Sequence, residues 1–263
     1  MTANSVFTPI AERGWRRGLH NLLRAGFAEW WATNTWWVHA LIWSGVFNLM
    51  VAGIVFSGEV AEAIDAVGFL CVFGGLFPVV AAVIILQGAI VGEKQNGTAE
   101  WILSKPVSRT AYILGKLIPN AVSMPVAMLL IPMLVGWVVL NLAGVGTAIL
   151  PFLAGYLIVA LNLLLFITLT VMLGAMLKRR GGVIAIPLVL LLGQQYLLGA
   201  FPFLANFLPW GLTIPAGEDA TSSVAASVML GQAPSSWGPV IVAAVAIGVF
   251  VVVAVDRFRA VEI

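Results

Sequence analysis

Charged residues are scarce in this sequence. Only 9% of its 263 residues are Asp, Glu, Lys or Arg, and 61% are hydrophobic, whereas a soluble globular domain is roughly 25% charged. No residue between positions 117 and 177 carries a formal charge. Because about 20 apolar residues cross a bilayer as an α-helix, a stretch of that length crosses it more than once. The scarcity of charge excludes a soluble domain and predicts an all-α integral membrane protein.

Motifs of catalysis and metal binding are also missing. Cys71 is the single cysteine, which excludes an internal disulfide. The Gly115-Lys116 pair has no glycine five residues before Gly115, so it does not form a phosphate-binding P-loop. The sequence contains no HExxH, GxSxG or paired-cysteine motif. We therefore predict that the chain is not an enzyme and holds no cofactor or metal of its own.

Six apolar runs are long enough to span a membrane, and none of them contains Asp, Glu, Lys or Arg. Ionisable residues inside a membrane tend to mark proton relays, so their absence weighs against a proton-driven carrier and against an intramembrane hydrolase. A pore, a scaffold and a pathway driven by another component stay open. The six predicted spans are residues 36–57, 66–92, 117–142, 147–177, 182–204 and 238–255.

The basic residues lie on one side of these spans. All 13 Lys and Arg fall in the arm before the first span, in residues 93–116, at 178–180 or in the final tail, while the opposite side has acidic residues only. By the positive-inside rule the basic side is cytoplasmic. Six spans then place both termini in the cytoplasm and the connection 205–237 outside. We expect a multi-pass protein of a bacterial inner or plasma membrane that contacts lipid and no nucleic acid.

The arm, residues 1–35, has a helical pattern of apolar and basic side chains ahead of the transmembrane domain, residues 36–263. The basic residues and His20 fill the positions between the apolar ones, which predicts an amphipathic helix on the inner membrane surface. This helix is either an anchor alone or an anchor that also docks a partner. The apolar members of the pattern are Trp15, Leu19, Leu22, Leu23, Phe27 and Trp30.

Residues 93–116, EKQNGTAEWILSKPVSRTAYILGK, form a charged segment between the second and third spans. Thr98 is predicted to cap a short helix with Glu100 in its first turn, and Pro106 ends that helix. Ser108 is predicted to cap the helix that continues into the third span. A short helix that presents the cluster Trp101–Ile102–Leu103 needs either lipid or the groove of a partner to cover it.

At this segment the sequence resembles the ABC-2 type transporter permeases. The family implies six transmembrane helices, an N-terminal amphipathic interfacial helix, and a short cytoplasmic coupling helix between helices 2 and 3. The spacing that carries the resemblance is Glu93, Gly97, Thr98, Glu100, Leu103, Pro106, Ser108, Arg109, Gly115 and Lys116.

The resemblance also implies an assembly in which two permease chains, identical or different, pair with two ATP-binding cassette ATPase subunits. Those subunits bind ATP and Mg²⁺, and the coupling helix docks on them. Arg109 and Lys116 can alternatively mark topology and contact phospholipid. The residues expected to couple are Glu93, Gly97, Thr98, Glu100, Pro106 and Arg109 by resemblance, together with Trp101 and Leu103 of the short helix.

Uncharged polar residues inside the spans allow two interpretations. Such side chains usually hydrogen-bond between helices, and they can also line a substrate path. Two other functions stay open besides the exporter permease: a channel or secondary carrier that works alone, and a six-span membrane assembly factor. The candidates for lining a pathway are Asn48, Gln87, Asn120, Asn162, Gln194 and Gln195.

Overall fold

The structure, a computed structural model, describes residues 13–57, 63–215 and 222–260. Helices make up 81% of it, and these ranges contain no β-strand. The all-α prediction is confirmed. In chain order the α-helices of the described ranges are α1 (Leu19–Trp31), α2 (Thr35–Phe56), α3 (Ala63–Leu86), α4 (Val91–Gln95), α5 (Thr98–Leu103), α6 (Arg109–Met124), α7 (Ile131–Leu142), α8 (Ile149–Met176), α9 (Arg180–Ala200), α10 (Val224–Met229) and α11 (Gly238–Ala260).

Five helical segments are long and apolar enough to cross a membrane, and they match the first four predicted spans and the last. At the fifth predicted position α9 has 21 residues, Arg180–Ala200, and its first part, Arg180–Gln194, is apolar. The described residues do not by themselves establish a sixth crossing at α9. The five segments are Thr35–Phe56, Asp65–Gln95, Arg109–Leu142, Ile149–Met176 and Gly238–Ala260.

The third span changes helix type at a proline. α6 ends at Met124, the turn Pro125–Leu130 is π-helical, and α7 begins at Ile131. A single π-helical turn inside an α-helix changes the backbone hydrogen-bond pattern locally. Proline favours such a change because it lacks an N–H donor. A tight turn follows this span, with Gly144 in the left-handed region at φ +86°.

α8 lies at the centre of the molecule and packs against α3, α6, α9, α10 and α11. It has room for α10 only because residue 155 is a glycine: a Cβ there would collide with Met229 and with the carbonyl of Ala225. The connection between α9 and α11 thus contributes a buried helix to the core, since Ala225, Ala226 and Met229 are fully buried.

Replacing Gly155 with leucine is expected to displace α10 and lower the midpoint of thermal unfolding in detergent. Overpacking a tight contact costs about 1–3 kcal/mol. Gly248→Leu is the matched control, because the space beside this glycine of α11 is open. An equal effect of the two substitutions would show that α10 does not pack on α8.

α1 forms where the amphipathic helix is predicted, but much of its apolar side faces protein. Gly115 of α6 has no room for a side chain because Leu22 lies against it, and Gly26 lies as closely against Pro119. Trp30 is buried, and its Nε1 donates to Asn120 Oδ1 at 2.9 Å. The apolar residues of α1 therefore attach the arm to the third span.

Candidate functional site

α5 begins on a left-handed glycine. Gly97 has φ +72° and is the N-cap residue, and no side chain caps the helix. The prediction that Thr98 caps it is wrong, because Thr98 is already its first helical residue. Only two residues separate α4 from α5, and a Ser or Thr cap needs an extended backbone that such a tight turn cannot supply. Glycine is required here because a Cβ makes this conformation costly.

α5 has one side toward the protein and one side outward. Ala99 is buried, and Ile102 and Leu103 are half-buried against the hydrophobic core. Of the predicted exposed cluster, Trp101 alone is outward, with 65% of its surface exposed. The Lys105 ammonium lies 5.1 Å from the centre of the Trp101 ring, a cation–π contact. Thr98, Glu100 and Pro106 are exposed beside it.

Ser108 caps α6, as predicted, and also joins the corner after α5 to the arm. Its Oγ accepts from the N–H of Ala111 at 3.0 Å and donates to the carbonyl of Trp15. Its own N–H donates to the carbonyl of Arg17 at 2.9 Å. Gly18, at φ +80°, packs against Val107. The segment before α1 and the segment after α5 are thus held together by three contacts.

Glu93 of α4 bonds two side chains of α6. Tyr112 Oη donates to Glu93 Oε2 at 2.6 Å, and Lys116 Nζ donates to Oε1 in an ion pair. Tyr112 and Lys116 are four residues apart, so they lie on one face of α6. The Tyr112 ring also stacks on Phe258 of α11, with 4.9 Å between ring centres. Glu93 therefore faces inward and ties α4 to α6.

Further hydrogen bonds join the ends of α8 and α11 to α4 and α6. Lys94 Nζ donates to the carbonyls of Gly174 and Ala175 near the end of α8. Arg109 donates to the carbonyl of Arg259 at 2.6 Å, and Arg259 Nε donates to Thr110 Oγ1 at 3.0 Å. α5 consequently projects from a base made by α4, α6, α8 and α11.

An open cleft of about 360 Å³ lies beside α5. It combines an apolar wall with one carboxylate and one guanidinium, so it can accept a mixed apolar and charged surface. Its lining residues are Glu100, Leu103, Ser104, Val107 and Arg109.

Most of the candidates for a pathway bond between helices. Asn48 Nδ2 donates to the carbonyl of Pro132 at 3.0 Å, and Asn162 Nδ2 to that of Gly75 at 3.0 Å. Gln194 Oε1 accepts from the N–H of Trp210 at 2.9 Å. Asn120, as given above, accepts from Trp30 of α1. Three of these side chains thus make the interhelical bonds that polar residues of membrane helices usually make, and Gln194 bonds to the connection that follows α9.

The other two candidates differ from these four. Gln87 Oε1 is buried and has no hydrogen-bond partner in the described part of the chain. The side chain of Gln195 lies outside the described residues. A role of any of the six in lining a pathway stays a prediction. The described ranges hold no group of three or more His, Cys, Asp or Glu residues that could bind a metal ion.

Comparison with known proteins gives one family. The sequence matches a family model described as an ABC-2 family transporter protein over residues 48–262, which is more than half of the chain. No curated protein sequence matches the chain significantly. This match agrees with the apolar helices able to cross a membrane. It also agrees with the charged segment between the second and third of them. The chain is a membrane transport protein and belongs to the ABC-2 transporter family.

Proposed function

We propose that this chain is the permease subunit of an exporter and that α5 is its coupling helix, docked on a separate ATP-binding cassette ATPase. The observation that carries the proposal is Trp101, 65% exposed on a helix of six residues. Helices this short are not stable alone in water, and α5 is held by the base beneath it. Tryptophan is the residue type that most often anchors a protein interface.

The base supports transmission of movement from α5 to the spans. α4 continues the second span and α6 begins the third, and Glu93 joins the two. Displacement of α5 by an ATPase would therefore move both spans together instead of bending a loose loop. ATP and Mg²⁺ would be bound by the ATPase, whose hydrolysis cycle supplies the energy, while this chain's own residues receive the movement.

The coupling residues divide into two groups by position. Gly97 makes the turn into α5, and Glu93, Leu103 and Arg109 hold the segment from its inner side. The outer group would contact the ATPase, and it consists of Thr98, Glu100, Trp101 and Pro106.

We propose an assembly of two permease chains, identical or different, with two ATPase subunits. α9 would complete a sixth crossing in the full chain, and helices of the first, second and fifth spans would face the second permease. The pathway then lies between two permease chains. This placement agrees with the structure of the single chain, because most polar side chains of its spans bond to other parts of the same chain. The arm, residues 1–35, would lie at the cytoplasmic surface, and residues 36–263 would form the transmembrane domain in a bacterial cell membrane, with both termini inside.

Cysteine labelling tests this topology. Cysteine at Lys105 is expected to be closed to a membrane-impermeant reagent in intact cells, and cysteine at Gln232 is expected to react. Both positions are exposed in the structure, and the native Cys71 is buried and should stay silent. Reaction at position 105 with protection at 232 would invert the topology and place α5 on the wrong side for an ATPase.

Purification of the chain from its own cells tests the functional proposal. An ATP-binding cassette ATPase is expected to co-purify, and the mass of the intact complex in nanodiscs should correspond to two permease and two ATPase chains. Transport by the purified permease without any ATPase would instead support a channel or secondary carrier. A chain that stays single and inactive with the ATPase present would favour an assembly factor.

A further inference from the structure

In the described residues before α1, 13–18, the outward surface is basic and carries the large apolar side chain of Trp15. Trp15 is 48% exposed, and the Arg16 guanidinium carbon lies 4.9 Å from the centre of its ring. Arg13 and Arg17 are exposed on either side. Trp15 and Arg16 form the same kind of pair as Trp101 and Lys105, namely an exposed tryptophan under a cation.

The two pairs meet at one corner of the protein. The carbonyls of Trp15 and Arg17 accept from Ser108, five residues after α5 ends, and Gly18 packs on Val107, which lines the cleft beside α5. A protein that covers Trp101 and this cleft therefore lies next to the turn Gly14–Arg16.

We propose that this turn is a second docking site for the same ATPase subunit, with Trp15 inserted in an apolar pocket and the three arginines facing an acidic surface. The inference rests on the proposed function of α5. It differs from a membrane anchor, in which the arm would touch lipid alone.

The distribution of side chains on α1 favours a protein over lipid as the occupant. A helix that anchors at a membrane surface needs a broad apolar face free for lipid. Here Leu22 and Gly26 lie against α6, and Trp30 is buried there. In residues 13–18, just before α1, Trp15 faces outward among arginines, and Trp and Arg are both enriched in protein interfaces. Complementary charge would also guide the ATPase to this corner.

The arm is attached firmly enough to transmit movement. Trp30 and Trp31 donate from their indole nitrogens to Asn120 and Ser123 of α6, each at 2.9 Å. Movement of the ATPase at Trp15 would be transmitted to the third span through these two hydrogen bonds. Movement at α5 would reach the same span by a separate route.

Photo-crosslinking tests the proposal. A photoreactive amino acid is placed at position 15, 101 or 237 of the full chain, in the purified complex with its co-purifying ATPase, in nanodiscs of either zwitterionic or anionic phospholipid. Position 237 is the control, because Trp237 is 52% exposed and lies in the connection predicted to be outside. We expect adducts with the ATPase at 15 and 101, and none at 237.

The outcomes separate the two proposals. An ATPase adduct at 101 combined with only lipid adducts at 15 overturns the second docking site and leaves the coupling helix intact. ATPase adducts at neither position overturn both. An ATPase adduct at 237 shows that the labelling is non-specific and overturns the assignment of this surface.

Affinity provides a second readout. Trp15→Ala is expected to weaken ATPase binding by on the order of tenfold or more in both lipid compositions, as loss of an interface anchor does. Replacing Arg13, Arg16 and Arg17 with serine should make binding less sensitive to salt, because screening acts on exposed charges. A loss confined to anionic nanodiscs, or unchanged affinity with Trp15→Ala, would contradict a protein pocket for Trp15.

Discussion

Replacing Trp101 with alanine is expected to weaken binding of the ATPase by about 30-fold and to reduce transport per ATP hydrolysed. The change removes the large side chain that α5 exposes, and truncating an interface anchor costs about 2 kcal/mol or more, which is a factor of about 30. Folding should be unaffected, since Ala99, Ile102 and Leu103 make the contacts of α5 with the core. Titration of the purified ATPase onto permease in nanodiscs measures the loss.

Adding Glu100→Lys to Trp101→Ala should deepen the loss, because a reversed charge at the rim repels a basic partner surface. Trp237→Ala is the matched control: it removes another exposed tryptophan, 52% exposed, and should leave binding unchanged. A double variant that binds the ATPase and transports at the parental rate contradicts a docking role for α5. Reduced membrane insertion with normal coupling would assign Trp101 to lipid contact.

Replacing Glu93 with alanine is expected to destabilise the protein by about 2–3 kcal/mol and to uncouple transport from hydrolysis. The substitution removes the acceptor of two hydrogen bonds, one of them from an ammonium, and bonds to charged groups contribute about 1.5–3 kcal/mol. It leaves the buried Tyr112 hydroxyl and the half-buried Lys116 without this partner. Thermal unfolding in detergent measures the first effect, and transport per ATP measures the second.

Three variants distinguish this mechanism from a general loss of charge. Glu93→Gln keeps an acceptor for Tyr112 and should lower the stability less than Glu93→Ala does. Adding Lys116→Met to Glu93→Ala should restore part of the stability, because it removes the unpaired charge. Glu100→Ala, at an exposed position, should change stability by less than about 0.5 kcal/mol. Equal losses for Glu93→Ala and Glu100→Ala would show that Glu93 does not hold α4 to α6.

The elements that depend on local chemistry could be predicted from the sequence. Hydropathy located the five long helices, and Ser108 predicted the start of α6 because an N-cap is decided within four residues. The Thr98 cap failed for a reason that is also local, since Gly97 closes the turn from α4 directly.

The contacts that depend on tertiary packing could not be predicted. Nothing in the spacing indicated that Glu93 would bond Tyr112 and Lys116, because that choice depends on how α4 and α6 cross. Attachment of the arm to α6 was likewise hidden, since an apolar face of a helix fits lipid and protein equally well by pattern alone. The four-residue spacing of Tyr112 and Lys116 places both on one face of α6, but it does not identify Glu93 as their partner.

Amide hydrogen exchange over residues 93–109 tests the coupling claim most directly, because it needs no substitution. Permease in nanodiscs is compared with and without its ATPase, and the segment 231–236 serves as an exposed control. The account predicts that binding of the ATPase slows exchange at 97–105 and leaves 231–236 unchanged. Unchanged exchange at 97–105 with the ATPase demonstrably bound would contradict the assignment of α5 as the coupling helix.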